Sequence, residues 1–175
     1  MNYNSKSESF TNIKRAFEDE SAGHVRYMIL GEEAEKQGNL DLAGLYRRLS
    51  EEELAHARIW YGEQGAKPWK DALKDSIGNE GAEATNTYPS YAGKAELEGY
   101  EALADRFLAN GRAEGNHRKL LMQYMTESEN GSRYYANEES LWRCTVCGYL
   151  HTGTTPPEQC PLCGYNRTAY TKDAM

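Results

Sequence analysis

From Ser9 to about Met125, apolar residues recur at alternating three- and four-residue steps, with almost no two-residue alternation. That is the period of amphipathic helices packed in a bundle. The pattern predicts a first helix starting near Ser9 or Thr11 and ending at Gly38, with Phe10, Ile13, Phe17, Tyr27 and Leu30 on its inner face. A second helix follows Asn39 or Asp41 as cap and runs to Gly65, facing inward with Leu42, Tyr46, Leu49 and Trp60. A third helical stretch is expected from about Trp69 to Glu98, where Pro89 removes a backbone donor and should kink or break it. The fourth is expected from about Tyr100 to Thr126, with Leu103, Phe107, Leu121 and Tyr124 inward. Four such helices joined by short turns predict a mainly α fold, an antiparallel four-helix bundle over residues 1–126.

Charged residues interrupt these stripes where apolar ones should continue. The second helix carries Glu53 and His56 there, and the fourth carries Glu114 and His117. Each pair is Glu-x-x-His, so both side chains project from one side of a helix. Glu20 lies on the inner face of the first helix, and Glu80, with Glu83 a turn later, on that of the third. Burying these carboxylates and imidazoles without compensation costs several kcal/mol per charge. The inner faces offer no Lys or Arg, so metal ions are the simplest counter-charge. One Glu from each of two helices plus Glu-x-x-His from each of two others is a carboxylate-bridged dimetal donor set of ferritin-like bundles. Glu20 precedes Glu53 by 33 residues and Glu80 precedes Glu114 by 34, which suggests two related helical hairpins. Glu52 reaches the same face if the helix rotates slightly. His24 suits a surface role or a contact to a ligand better than direct ligation.

The polar stretch 127–140 reads as a linker, and 141–175 is too short to bury a useful core without a cross-link or metal. All four cysteines lie in that tail: Cys144 and Cys147, then twelve residues, then Cys160 and Cys163. Paired Cys-x-x-Cys at this separation is a tetrathiolate signal. Gly148 and Gly164 follow the second cysteine of each pair, allowing tight turns around a metal edge. Tetrahedral sulfur coordination suits zinc and iron alike. Attachment to a dimetal bundle favours iron, because a redox centre needs an electron entry point and iron can cycle.

Composition narrows the class further. The 175 residues include 20 Lys and Arg against 27 Asp and Glu, a net charge of −7, which argues against a nucleic-acid partner. No apolar run approaches the length of a membrane span, and Met1 to Phe10 lacks the apolar core of a secretory signal. The expectation is a cytoplasmic protein with reduced cysteines. Tyrosine outnumbers phenylalanine 13 to 3, so many large side chains carry a hydroxyl needing a partner.

In this order the motifs resemble the rubrerythrin family, a ferritin-like di-iron bundle joined to a C-terminal rubredoxin-like metal-bound β/loop domain. The carriers are Ala16 to Ser21 leading to Arg26-Tyr27, Glu53-Leu54-Ala55-His56, Glu80 to Glu83 followed by Thr87-Tyr88-Pro89, Glu114-Gly115-Asn116-His117, and the two cysteine knuckles. The resemblance implies two non-haem irons bridged by Glu53 and Glu114, with Glu20 at the first and Glu80 and His117 at the second. Glu83 and His56 would exchange at the first iron with redox state, and Tyr27 and Tyr88 would hydrogen-bond near the ligands. A third iron would sit on Cys144, Cys147, Cys160 and Cys163. Asn86 departs from the family, whose members often carry another Glu there, and implies an altered ligand surround. The implied activity is reduction of hydrogen peroxide to water in oxidative-stress defence. Electrons would come from an external donor, rubredoxin or an NAD(P)H-dependent reductase, through the tetrathiolate iron, and pass between subunits of a head-to-tail homodimer. The alternatives are a ferroxidase or iron-handling ferritin-like protein, and a helical binding module bearing a zinc ribbon.

Overall fold

The computed structural model describes residues 3–4 and 6–173. The chain is mainly helical, with a small three-stranded sheet near its C-terminus, and divides into two compact units at Lys67/Pro68.

The first unit is a helical hairpin. Helix α1 spans Glu8–Lys36 and α2 spans Leu40–Glu63. Ser7 caps α1 by accepting the Phe10 N–H at 3.1 Å, and Asn39 caps α2 by accepting the Leu42 N–H at 3.2 Å. Gly38, at φ +78°, makes the left-handed step between them. The large apolar stripe predicted for the interface is only partly realised. The fully buried positions are Ile13, Gly23, Gly31 and Ala34 on α1 and Ala43, Ser50 and Ala57 on α2. Small residues let the two backbones approach, while Leu42, Tyr46, Leu49 and Trp60 are half-buried and Leu30 is exposed. Tyr27 stacks on Tyr46 at 5.8 Å between centroids, and Phe17 tilts against Tyr61 at 5.5 Å. The Ser50 hydroxyl donates to the His24 carbonyl at 3.0 Å. That leaves His24 Nδ1–H to donate back to the Ser50 carbonyl at 2.9 Å, so His24 pins α1 to α2.

The second unit begins with α3, Trp69–Ala82, which passes through a π turn, Glu83–Thr87, into α4, Tyr88–Leu97. Pro89 therefore neither breaks nor ends the helical stretch. The Tyr88 N–H bonds five residues back to Glu83, and the widened turn absorbs the proline ring and its missing donor. Gly99, at φ +83°, turns the chain into α5, Glu101–Glu129, which extends three residues into the expected linker. Ala92, Ala95 and Ala104 are buried beside Phe107 and Leu108. A Cβ on Gly111 would lie 3.2 Å from Tyr88 Cβ and 3.5 Å from the Ala84 carbonyl, so α5 meets the π turn backbone to backbone.

Beyond a short 3-10 turn at Ser132–Tyr134, strands β1 (Ser140–Cys144), β2 (Leu150–Gly153) and β3 (Tyr170–Lys172) form an antiparallel sheet in the order β2-β1-β3. Its core is Ala136, Trp142, Cys144, Cys160 and Tyr170. Trp142 is buried with its Nε1–H donated to the Gly153 carbonyl at 2.9 Å.

Gly111→Val places branched carbons against the π turn and is expected to lower stability by about 1–3 kcal/mol. Thermal unfolding followed by helical circular dichroism checks this.

Candidate metal centres

In the first hairpin, α1 presents Glu20 and α2 presents Glu53 and His56, and one ligand atom of each lies within 4.8 Å of the others. His56 Nδ1 is 3.4 Å from Glu20 Oε2 and 3.5 Å from Glu53 Oε2. A hydrogen bond shared with Glu20 raises the Glu53 carboxyl above its ordinary range, and burial and Glu20 repulsion add to this against the opposing His56. His56 is held above the ordinary imidazole range, first by its hydrogen bond to Glu20. Two carboxyls gathered beside one imidazole offer a donor set that fits a cation.

The second unit repeats this arrangement. Glu80 from α3 and Glu114 and His117 from α5 form the matching group within 4.8 Å. His117 Nδ1 is 2.7 Å from Glu114 Oε2 and 3.4 Å from Glu80 Oε2. Despite that proximity, Glu80 Oε2 is buried without a properly oriented hydrogen-bond donor, which suits an oxygen awaiting a metal. Asn110 Nδ2 donates to Glu114 Oε1 at 3.1 Å and orients the carboxylate from one turn earlier. The i, i+4 spacing of Asn110 and Glu114 is the sequence signal that could have found this contact.

Other expected site residues lie elsewhere. Glu83, half-buried, is the first residue of the π turn and belongs to neither group of three. Glu52 is exposed. The Tyr27 ring packs on Tyr46, and Tyr88 packs edge-on against Tyr91 at 6.1 Å and tilted against Phe107 at 6.4 Å.

The cysteines close into a tetrahedron. Cys144 Sγ is 3.7 Å from Cys163 Sγ, and Cys147 Sγ is 3.6 Å from Cys160 Sγ. A disulfide would need about 2.05 Å. A tetrahedron with metal–sulfur bonds of about 2.3 Å has edges of about 3.8 Å. Two knuckles of like geometry build it. Gly148 and Gly164 both adopt left-handed φ and donate their N–H groups to Cys144 and Cys160 carbonyls at 2.8 Å. The Tyr149 N–H bond lowers the Cys147 thiol, but burial and the neighbouring sulfurs outweigh it and push it up to about 12. Burial opposes ionisation of Cys160, yet the Tyr170 hydroxyl and the Cys163 and Leu162 N–H groups hold it at about 6. The buried Tyr170 hydroxyl lacks a hydrogen bond of ordinary geometry and acts here by proximity to that sulfur. Four sulfurs sharing one shell cannot all ionise without a cation, so the donor set fits a metal.

The comparisons with known proteins agree with this chemistry. A family model described as Rubrerythrin matches residues 11–66 and 71–145, and one described as Rubrerythrin, rubredoxin-like domain, matches 142–171. The chain belongs to the rubrerythrin family. A putative rubrerythrin of Methanocaldococcus jannaschii is 30% identical over 91% of this chain and 90% of that protein. A rubrerythrin of Nitratidesulfovibrio vulgaris is 30% identical, covering 91% of each chain. A nigerythrin structure in a mixed-valence state covers 99% of this chain and 92% of its own at 23% identity and a TM-score of 0.36. As a rubrerythrin-family chain, this protein has a rubredoxin-like iron site on its four cysteines and carboxylate–histidine groups of the di-iron type. It is an oxidoreductase of that type. Among the described residues, no helix is long and apolar enough to cross a membrane.

Two outcomes are expected. Asn110→Ala frees the Glu114 carboxylate and should weaken metal binding at Glu80, Glu114 and His117 by about tenfold in chelator competition, with helical content unchanged. Stripping the tail metal with a chelator should open residues 141–173 to limited proteolysis while α1 to α5 keep their circular dichroism.

Proposed function

We propose that this protein reduces hydrogen peroxide to water, with electrons entering through the tetrathiolate iron. The observation that supports this most is the pairing, in one chain, of a closed sulfur tetrahedron with two carboxylate–histidine groups. A closed shell suits outer-sphere electron entry, and an open, oxygen-rich shell suits a small oxidant. The balance is one hydrogen peroxide, two electrons and two protons giving two waters. When bound, the iron pair supplies Lewis acidity and two electrons stored together.

The chain's own residues have separable parts in this reading. Glu20, Glu53 and His56 from the first hairpin and Glu80, Glu114 and His117 from the second unit would hold the iron pair, with Glu53 and Glu114 as the candidate shared carboxylates and the two histidines as directional nitrogen donors. Glu83 sits where the helix widens into the π turn, and such turns tolerate a change of register. That suits a carboxylate alternating with His56, as do its half-burial and its place outside both groups. Tyr27 and Tyr88, packed on Tyr46 and on Tyr91 and Phe107, are the candidate hydrogen-bonding residues beside the ligands in this reading. At the tail, Cys147 and Cys163 are half-buried, while Val146, Leu162 and Tyr165 around them are 50%, 67% and 57% exposed. An apolar rim beside metal-bound sulfur suits brief docking of rubredoxin or an NAD(P)H-dependent reductase in the cytoplasm. Passage of electrons to the iron pair suits a head-to-tail homodimer.

The test is anaerobic reduction of the loaded protein, followed by peroxide or oxygen in separate stopped-flow runs. Peroxide is expected to reoxidise the protein faster than oxygen, without mineral formation. Faster reoxidation by oxygen would reject the assignment. His56→Ala should slow the cycle while leaving the thiolate–iron absorption intact.

A further inference from the structure

We propose that the buried hydroxyl of Tyr170 donates to the Cys160 thiolate of the iron-loaded site and raises the reduction potential of the tetrathiolate iron. The inference rests on iron at the four cysteines, and not on which oxidant the protein consumes.

The first observation is a polar atom without a use in the metal-free fold. Tyr170 is 4% exposed, and its hydroxyl oxygen is buried with no hydrogen-bond partner of ordinary geometry. The ring completes the small core formed with Ala136, Trp142, Cys144 and Cys160. A phenylalanine ring would fill that space as well, without taking a hydroxyl out of water. A buried group left unsatisfied in this way points to an acceptor created when the metal binds. A phenol keeps its proton at neutral pH and a metal-bound thiolate has none, so the bond between them runs from O–H to sulfur.

The second observation is how firmly the backbone aims that hydroxyl. Tyr170 lies directly opposite Cys144 in the β1–β3 ladder, so both side chains leave the same face of the sheet. The pairing is pinned at both ends. Thr145 donates its N–H and its hydroxyl to the Ala169 carbonyl at 2.8 and 2.9 Å, and Asp173 N–H donates to the Leu141 carbonyl at 2.8 Å. Asn166 accepts the Thr168 N–H at 3.1 Å and fixes the turn that leads into β3. The phenol therefore approaches the sulfurs from a strand, independently of either knuckle. Cys160 is the sulfur whose thiol its proximity draws down.

The third observation is where this donor falls among the others. The knuckles supply backbone N–H groups, Tyr149 to Cys147, Tyr165 to Cys163, and Leu162 and Cys163 to Cys160. Tyr170 adds a side-chain donor at a cysteine that is 2% exposed, whereas Cys147 and Cys163 are half-buried. Water competes least at that buried sulfur, so a hydrogen bond there is strengthened by its surroundings. Four thiolates leave one net negative charge around a ferric ion and two around a ferrous one, a difference of one electron with no proton moved. A donor aimed at sulfur stabilises the more negative state further and so raises the potential. The external electron donor then reduces the site more completely.

The test is Tyr170→Phe in the full-length, iron-loaded protein. The potential is read by spectroelectrochemistry with dithionite and mediators, at the thiolate-to-iron absorption. Loss of the hydroxyl should lower the equilibrium constant for one-electron reduction about tenfold, a fall of about 59 mV. Tyr135→Phe, which removes the hydroxyl of a tyrosine 51% exposed just before Ala136, should leave the potential in place. An iron-loaded Tyr170→Phe protein with the wild-type potential would overturn the proposal. Nuclear magnetic resonance of the wild type loaded with cadmium-113 needs no variant. The Tyr170 hydroxyl proton should couple to the metal through the Cys160 sulfur, and absence of that coupling rejects the hydrogen bond even if Tyr170→Phe fails to fold. A wild type that takes zinc in preference to iron at the cysteines would overturn the tuning role together with the iron assignment, while the cadmium spectrum still reports the hydrogen bond by itself.

Discussion

Charge placed where a helical core should be is the constraint on which the helical part of this protein depends. Six candidate ligand side chains, Glu20, Glu53, His56, Glu80, Glu114 and His117, occupy stripe positions that hydrophobic residues would otherwise fill; the four carboxylates are half-buried and the two histidines exposed. Glu53 is already pushed towards its neutral form by Glu20 beside it, and Glu80 keeps a buried oxygen without a donor. Neither feature is stable chemistry for a metal-free interior, and both are relieved when a divalent cation takes the shared lone pairs. The surrounding packing is built to permit this. Gly23 brings α1 so close to Glu53 that a Cβ there would stand 3.3 Å from its carboxyl carbon. Helix approach and ligand position are thus set by the same small residue.

The C-terminal module answers a related problem with sulfur. Thirty-odd residues cannot bury enough apolar area to fold alone, and its interior is largely Trp142 and Tyr170 set against Cys144 and Cys160. The metal is the remaining part of that core. The two knuckles turn at glycines with left-handed φ, and the backbone N–H groups of Tyr149, Leu162 and Cys163 meet sulfur, so the shell that binds the cation also tunes its charge. Metal binding and folding of this module share one set of bonds. This explains why the exposed rim of Val146, Leu162 and Tyr165 can be apolar without belonging to a larger core.

Much of the site was readable from residue order because ligand chemistry leaves short-range signatures. Glu-x-x-His repeats on one helix face, and Cys-x-x-Cys-Gly repeats around a turn, so each survives as a local pattern. The helical stretches were readable for the same reason, through their period and their caps. What escaped was set by groups distant in sequence or by backbone geometry. The π turn at Glu83–Thr87 absorbs Pro89, where chain logic alone expects a kink or break. Tyr170 reaches the Cys160 environment through strand pairing with Cys144, a register that no local motif encodes. The hairpin interfaces close on Ala, Gly and Ser rather than on the large residues of the stripe, because backbone approach favours the smallest side chains.

The sequence by itself determined the donor sets, the family and the helical period, since each follows from residue type at fixed spacing. The tertiary structure decided which donors gather. It joined Glu20 to Glu53 and His56, joined Glu80 to Glu114 and His117, and left Glu83 apart on a widened turn. It also showed that the chain forms two compact units, parted at the brief segment after α2. Spacing along a chain counts residues, whereas ligation depends on which helix faces the backbone can bring together. Within each unit that is governed by helix length, turn geometry and the small residues at which the helices meet.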